Sequence, residues 1–125
     1  MSQFTNMICE QVFQRFPTLK VAFLEAGCGW LPYLMERIDR KTNGLATQQV
    51  LDCPVYFHAE LEEQASLVCA VSVGGEDRFI YASDYPHEQA ADIRHALCSF
   101  QARTDVSQRA KEKILRDNIK ALYGI

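Results

Sequence analysis

The order of elements along these 125 residues predicts an α/β fold with about three parallel strands and flanking helices. Three observations support it. Helix-period segments and short strand-length runs alternate as α-β-α-β-α-β-α-α, which implies a parallel sheet. The strand runs are apolar almost throughout, as strands covered on both faces are. The third run, Phe79-Ile80-Tyr81-Ala82, stops abruptly at Ser83-Asp84-Tyr85-Pro86-His87. In parallel α/β folds chemistry sits at the C-terminal ends of strands, which marks Asp84 as a candidate catalytic residue. Asp-Tyr-Pro is equally the composition of a turn that opens the next helix.

Phe4, Met7, Ile8, Val12 and Phe13 recur at helical spacing and predict one amphipathic helix ending before Pro17. Leu19 to Leu24 is a short β-branched and aromatic run suited to a buried strand, and Glu25 to Gly29 is the loop after it. Leu31, Leu34, Met35 and Ile38 form the stripe of the next helix, which Thr42-Asn43-Gly44 breaks. The stretch from there through Asp52 reads as a loop or a short irregular turn. Pro54 stands at the start of a second strand, Val55 to Ala59, where its missing N–H does least harm. Glu62 to Val73 makes a helix that Gly74-Gly75 ends, and Arg78 to Ala82 is the third strand. A helix follows from about Glu88 to Ala102. Ser107 or Asp105 then caps a last helix running through Leu115 towards Leu122.

Composition narrows the function classes. With 48% hydrophobic and 23% charged residues the chain is close to an average globular protein, which excludes disorder. A net charge of −3 with scattered Lys and Arg gives no basic stripe, so neither nucleic acid nor an anionic membrane is an expected partner. No apolar run approaches the ~20 residues that span a bilayer, and Met1-Ser2-Gln3 opens no signal peptide, so cytoplasm is the expected location. Cys9, Cys28, Cys53, Cys69 and Cys98 are odd in number and widely spaced, which argues against a disulfide framework. Cys9, Cys69 and Cys98 read as small buried hydrophobes, whereas Cys28 lies in a strand-end loop without a histidine nearby in sequence.

On one parallel sheet the three strand ends share a face. They present Glu25, the His58 and Glu60 region, and Asp84 there, a rim of carboxylate and imidazole groups of the kind divalent metals favour. His58 lies inside its strand and reads best as a satisfied structural histidine, while His95 falls on a helix as a packed or solvent-facing residue. Trp30 and Tyr33, at a helix start, line a pocket or pack.

Three blocks in order resemble the amidohydrolase-related family of the amidohydrolase superfamily, which contains metal-dependent hydrolases and non-oxidative decarboxylases. They are Phe16 to Leu34, then Asp77-Arg78-Phe79 into Ser83-Asp84-Tyr85-Pro86-His87, and finally Asp117-Asn118 through Leu122-Tyr123-Gly124-Ile125. The resemblance covers the last part of the family domain, from about the helix before its sixth barrel strand. It implies that residues 1–125 are a C-terminal fragment of a TIM-like (β/α)8 barrel, with the barrel incomplete. Length agrees, since a closed barrel typically takes ~250 residues. Strands taken out of a barrel keep unpaired edges, so the runs at Leu19 to Leu24 and Arg78 to Ala82 are expected to lack neighbours and to favour self-association.

For Asp84 the resemblance implies the carboxylate that binds a divalent metal, Zn or Mn, and takes a proton from its water. His87 is implied beside the substrate, against the alternative of a surface histidine at a helix start, and Trp30 is a substrate-side candidate. Glu25 stands where the decarboxylases carry a histidine in a pattern ending His-Gly-Gly, which counts against decarboxylation. It is open between a general acid or base, a metal-side ligand and a carboxylate set against a basic residue. The family site also takes a His-x-His pair, which these residues do not contain, so the chain alone is expected not to hold the metal tightly. Two functions follow. One is the C-terminal part of a metal-dependent hydrolase of a small organic acid, lactone or amide, completed by an N-terminal half-barrel. The other is a non-catalytic remnant that at most self-associates.

Overall fold

The computed structural model describes residues 1–125. Its sheet has three parallel strands in the order β1 (Val21–Phe23), β2 (Val55–His58) and β3 (Phe79–Ile80). Val21 pairs with Val55 and Phe23 with Phe57, while Phe57 pairs with Phe79 and His58 with Ile80. All three strand ends therefore point the same way, as the alternating pattern predicts. The helices are α1 (Ser2–Cys9), α2 (Val12–Arg15), α3 (Leu31–Thr42), α4 (Leu45–Asp52), α5 (Ala65–Gly74), α6 (Ala90–Ala102), α7 (Gln108–Glu112) and α8 (Asn118–Tyr123). A 3-10 turn, Glu76–Arg78, leads into β3, and a π-helical turn, Lys113–Asp117, joins α7 to α8.

The core forms around β2, whose four residues are all buried. Phe57 stacks on Phe23 at 5.8 Å between ring centroids and meets Phe4, Trp30 and Phe79 at 5.7, 5.7 and 5.9 Å. Offset and edge-on rings at these separations add roughly 0.5–1.5 kcal/mol per pair beyond burial itself. Phe4 on α1 and Leu31 and Met35 on α3 face inwards, as the helical spacing requires.

Three sequence expectations need correction. The first helix is two, because Gln11 turns left-handed at φ 53 between α1 and α2. The stretch to Asp52 is helix α4, not an irregular loop. Asn43 and Gly44 both adopt left-handed backbone, and Asp39 of α3 accepts hydrogen bonds from the N–H groups of Ala46 and Thr47 and from the Thr47 hydroxyl. The cap thus comes from the preceding helix, where no local signal marks it. Its inner face carries Ala46, Gln49 and Val50, and the Gln49 amide donates to Ile8 O at 2.8 Å. Cys9, Cys69 and Cys98 are exposed, because their helices turn other residues to the core; Cys28 and Cys53 are the buried thiols.

At the sheet edges β1 and β3 each have a strand neighbour on one side only, as expected, but the β3 edge is not bare. Ile80 O accepts from Ala59 N–H on the β2 side, so the polar groups of Phe79 and Tyr81 face outwards. They are taken by the chain's own C-terminal segment: Tyr81 N–H donates to Ile114 O at 3.0 Å, and the Asn118 amide donates to Phe79 O at 2.7 Å and Glu76 O at 2.8 Å. Lys20, just before β1, donates from Nζ to Ala121 O at 2.6 Å, so α8 also reaches the start of the far strand. β1 has a strand neighbour on one side only. No helix is long and apolar enough to cross a membrane.

Candidate functional site at the strand ends

A cavity of about 380 Å³ opens at the C-terminal ends of the strands, and Glu25, His58, Glu60, Tyr81, Asp84 and Glu88 are among its lining residues. Glu25 follows β1 and Asp84 follows β3, with φ of 58° and 52°. Non-glycine residues seldom hold left-handed backbone unless the surrounding structure enforces it, and such positions cluster at functional sites. The peptide bond between Tyr85 and Pro86 is cis. Asp84 O accepts from the backbone N–H groups of His87 and Glu88 at 2.8 and 3.1 Å, forming the turn that the sequence also allows.

Glu25 and Asp84 thus share one cavity. His87 is outside its lining: its ring is 82% exposed and its Nδ1 lies 3.3 Å from Asp84 Oδ1. Trp30 is placed elsewhere again. Its ring packs at 5.3 Å on Phe4 and its Nε1–H donates to Gly27 O at 3.0 Å, so it braces the base of the β1 loop without lining the cavity.

The structure also brings in residues that sequence reasoning left without a site role. His58 is buried and lines the cavity. Its Nδ1 accepts from Glu25 N–H at 3.3 Å and its Nε2 pairs with Ala82 O at 3.0 Å, so it is both the satisfied histidine expected and part of the rim. The Glu63 carboxylate accepts from Cys28 N–H at 3.0 Å, Gly29 N–H at 2.9 Å and the Cys28 thiol at 3.1 Å, pinning the β1 loop to the β2 loop. A Cβ at Gly27 or Gly29 would fall 2.9 or 2.8 Å from Glu63 Oε1 or Ser66 Cβ, which explains glycine on both sides of Cys28. Glu63 follows the second strand closely, but nothing in the sequence ties it to a loop 34 or 35 residues earlier.

Burial pushes the Cys28 thiol strongly upwards, and its hydrogen bond to Glu63 and the charges of Glu63 and Glu60 add to the shift. It stays a thiol at neutral pH, which removes it as a nucleophile. Burial likewise raises Tyr81, with Glu62 and Glu88 adding to the effect, so its phenol remains a hydrogen-bond donor facing the cavity.

As for a metal, no three of the His, Cys, Asp and Glu side chains converge into a set that could hold one. Both His58 nitrogens face backbone partners, leaving no ring lone pair for a metal in this arrangement. Catalytic zinc sites typically take about three protein ligands, so these residues do not by themselves fit the ion that the resemblance implies.

Similar solved structures agree on the architecture. An amidohydrolase II superposes with a TM-score of 0.76 at 19% identity, over 98% of this chain and 40% of that one. A dihydroxybenzoic acid decarboxylase from Polaromonas sp., determined with bound manganese and the inhibitor 2-nitroresorcinol, superposes with a TM-score of 0.73 at 20% identity, over 97% of this chain and 38% of that one. The chain therefore spans about two-fifths of the length of these neighbours, and its three parallel strands with flanking helices are part of a TIM-like barrel. The family model described as amidohydrolase matches residues 1–125, and the chain belongs to the amidohydrolase family.

Proposed function

We propose that these residues form the C-terminal part of a metal-dependent hydrolase acting on a small organic acid, lactone or amide in the cytoplasm, and that the chain alone does not turn substrate over. One observation carries this reading: Glu25 and Asp84, both in left-handed backbone, line a single cavity at the strand ends. In it Asp84 accepts the proton of the attacking water, and Glu25 serves as a second acid or base. The family is generally metal-dependent, and the manganese in the decarboxylase neighbour belongs to that protein. Here Asp84 offers one ligand, so a divalent ion would need further ligands from an N-terminal half-barrel. Glu25 in place of histidine weighs against decarboxylation, although that neighbour is a decarboxylase. A second reading, a non-catalytic self-associating fragment, draws support from β1 having a neighbour on one side only.

The test is reconstitution. The chain is co-expressed with the N-terminal part of a homologous barrel, ending before the segment matched by Ser2 to Phe16, and assayed with lactones and amides. Hydrolysis should appear and depend on added Zn²⁺ or Mn²⁺. It should fall by roughly two or more orders of magnitude in Asp84→Ala, fall less in Glu25→Gln, and largely survive Cys28→Ser. Near-parental turnover of a stable Asp84→Ala complex would remove Asp84 from the mechanism.

A further inference from the structure

We propose that His58 is a positioning residue that sets the spacing between the loops carrying Glu25 and Asp84; naming those two carboxylates as the groups it serves rests on the function proposed above. His58 ends β2, the central strand, and is 6% exposed. β1 and β3 do not touch one another in the sheet. The imidazole joins them: Nδ1 accepts from Glu25 N–H beyond β1, and Nε2 meets Ala82 O, two residues before Asp84, beyond β3. A backbone N–H can only donate and a carbonyl only accept, so these partners select the tautomer with its proton on Nε2.

Each loop turns left-handed next to the brace, at Glu25 itself and at Asp84, which is where outside support is needed. With both nitrogens engaged, the ring is neither a base nor a ligand. It acts through the two loops. Tyr81, whose ring lies 6.4 Å from the imidazole, packs beside it.

Nuclear magnetic resonance on the full chain tests this. Imidazole ¹⁵N spectra should show the proton on Nε2 and a bare Nδ1. His58→Phe keeps a ring without nitrogens. In it the Glu25 amide should exchange about tenfold faster, as the loss of one hydrogen bond implies, and the Ser83 and Asp84 resonances should move while α6 amides keep their rates. His58→Gln should restore much of the protection, because a carboxamide offers an acceptor and a donor. A proton on Nδ1, unchanged Glu25 exchange in His58→Phe, or a glutamine variant no better protected than the phenylalanine one would overturn the proposal. If phenylalanine prevents folding, the native tautomer and the glutamine variant decide. In a reconstituted barrel, His58→Phe should lower kcat more than it changes KM, and glutamine should recover kcat. An assembly inactive with His58 intact would sink the proposed function while leaving the exchange result standing.

Discussion

The two edges of the sheet are treated differently. Along β3 the outward backbone groups of Phe79 and Tyr81 are occupied by Asn118 and Ile114 of the same chain. Along β1 no strand follows, and Leu19 and Leu24 at its ends are 41% and 50% exposed. An unpaired edge is a template for another strand, and a covered edge is not. A strand's pairing capacity thus depends on what the rest of the chain lays against it. Here the C-terminal segment lies against the β3 side, while β1 has a strand neighbour on one side and exposed leucines at its ends. The two flanks also differ in what holds them. Between α6, α7 and the loop after β2, Lys111 donates to Gln101 O and Arg103 O, and Arg103 donates to Glu63 O and Asp105. Near β1, the Glu63 carboxylate holds Cys28 and Gly29.

The largest effect should come from uncovering β3. Asn118→Ala removes two hydrogen bonds and strands two carbonyls in poorly solvated surroundings, so urea denaturation should report a loss of about 2–4 kcal/mol. Lys20→Ala, which removes the exposed contact to Ala121 O at the β1 end, should cost less than about 1 kcal/mol. Equal losses would erase the distinction between the flanks.

Assembly comes next. Leu24→Lys adds charge at the open edge and should shift the sedimentation of the purified chain towards monomer, while stability stays within about 0.5 kcal/mol. An unchanged distribution would place any self-association elsewhere.

pH should separate the flanks further. The raised Cys28 thiol stays protonated in the fold while an unfolded cysteine ionises. Its contribution is therefore intact below the unfolded value of about 8.5 and declines as pH rises beyond it. The hydrogen bond from Arg103 holds the Asp105 carboxyl below the usual carboxylate range. That contribution is present above about pH 4 and is lost as pH falls through the lower, folded value. Thermal melts should accordingly show Cys28→Ala flattening the alkaline limb and Asp105→Asn flattening the acid limb. The reverse assignment would contradict both environments.

Smallest of all is a labelling pattern. A thiol reagent at neutral pH should modify Cys9, Cys69 and Cys98 in the native chain and reach Cys28 and Cys53 only on unfolding. Prompt modification of Cys28 would mean that the Glu63 clamp on the β1 side opens readily.

The alternation of helix and strand, the parallel sheet it implies, and the strand ends at which Glu25 and Asp84 stand are all legible in local sequence. Periodicity and turn chemistry act over a few residues, and those features need no more. Even some boundaries were legible, since Gly75 ends α5 and Ser107 caps α7 by accepting from Ala110 N–H. The other features arise from packing between distant elements. Helix α4 is capped by Asp39, the loops after β1 and β3 both meet His58, the β1 loop is held by Glu63, and the covered edge by Asn118. Each is a hydrogen bond whose partners come together only when distant elements pack. Asn118 and Phe79 stand 39 residues apart, and Gln49 and Ile8 stand 41 apart. A polar side chain shows in the sequence that it must find a partner once buried, but which backbone group it finds is settled by the packing that buries both.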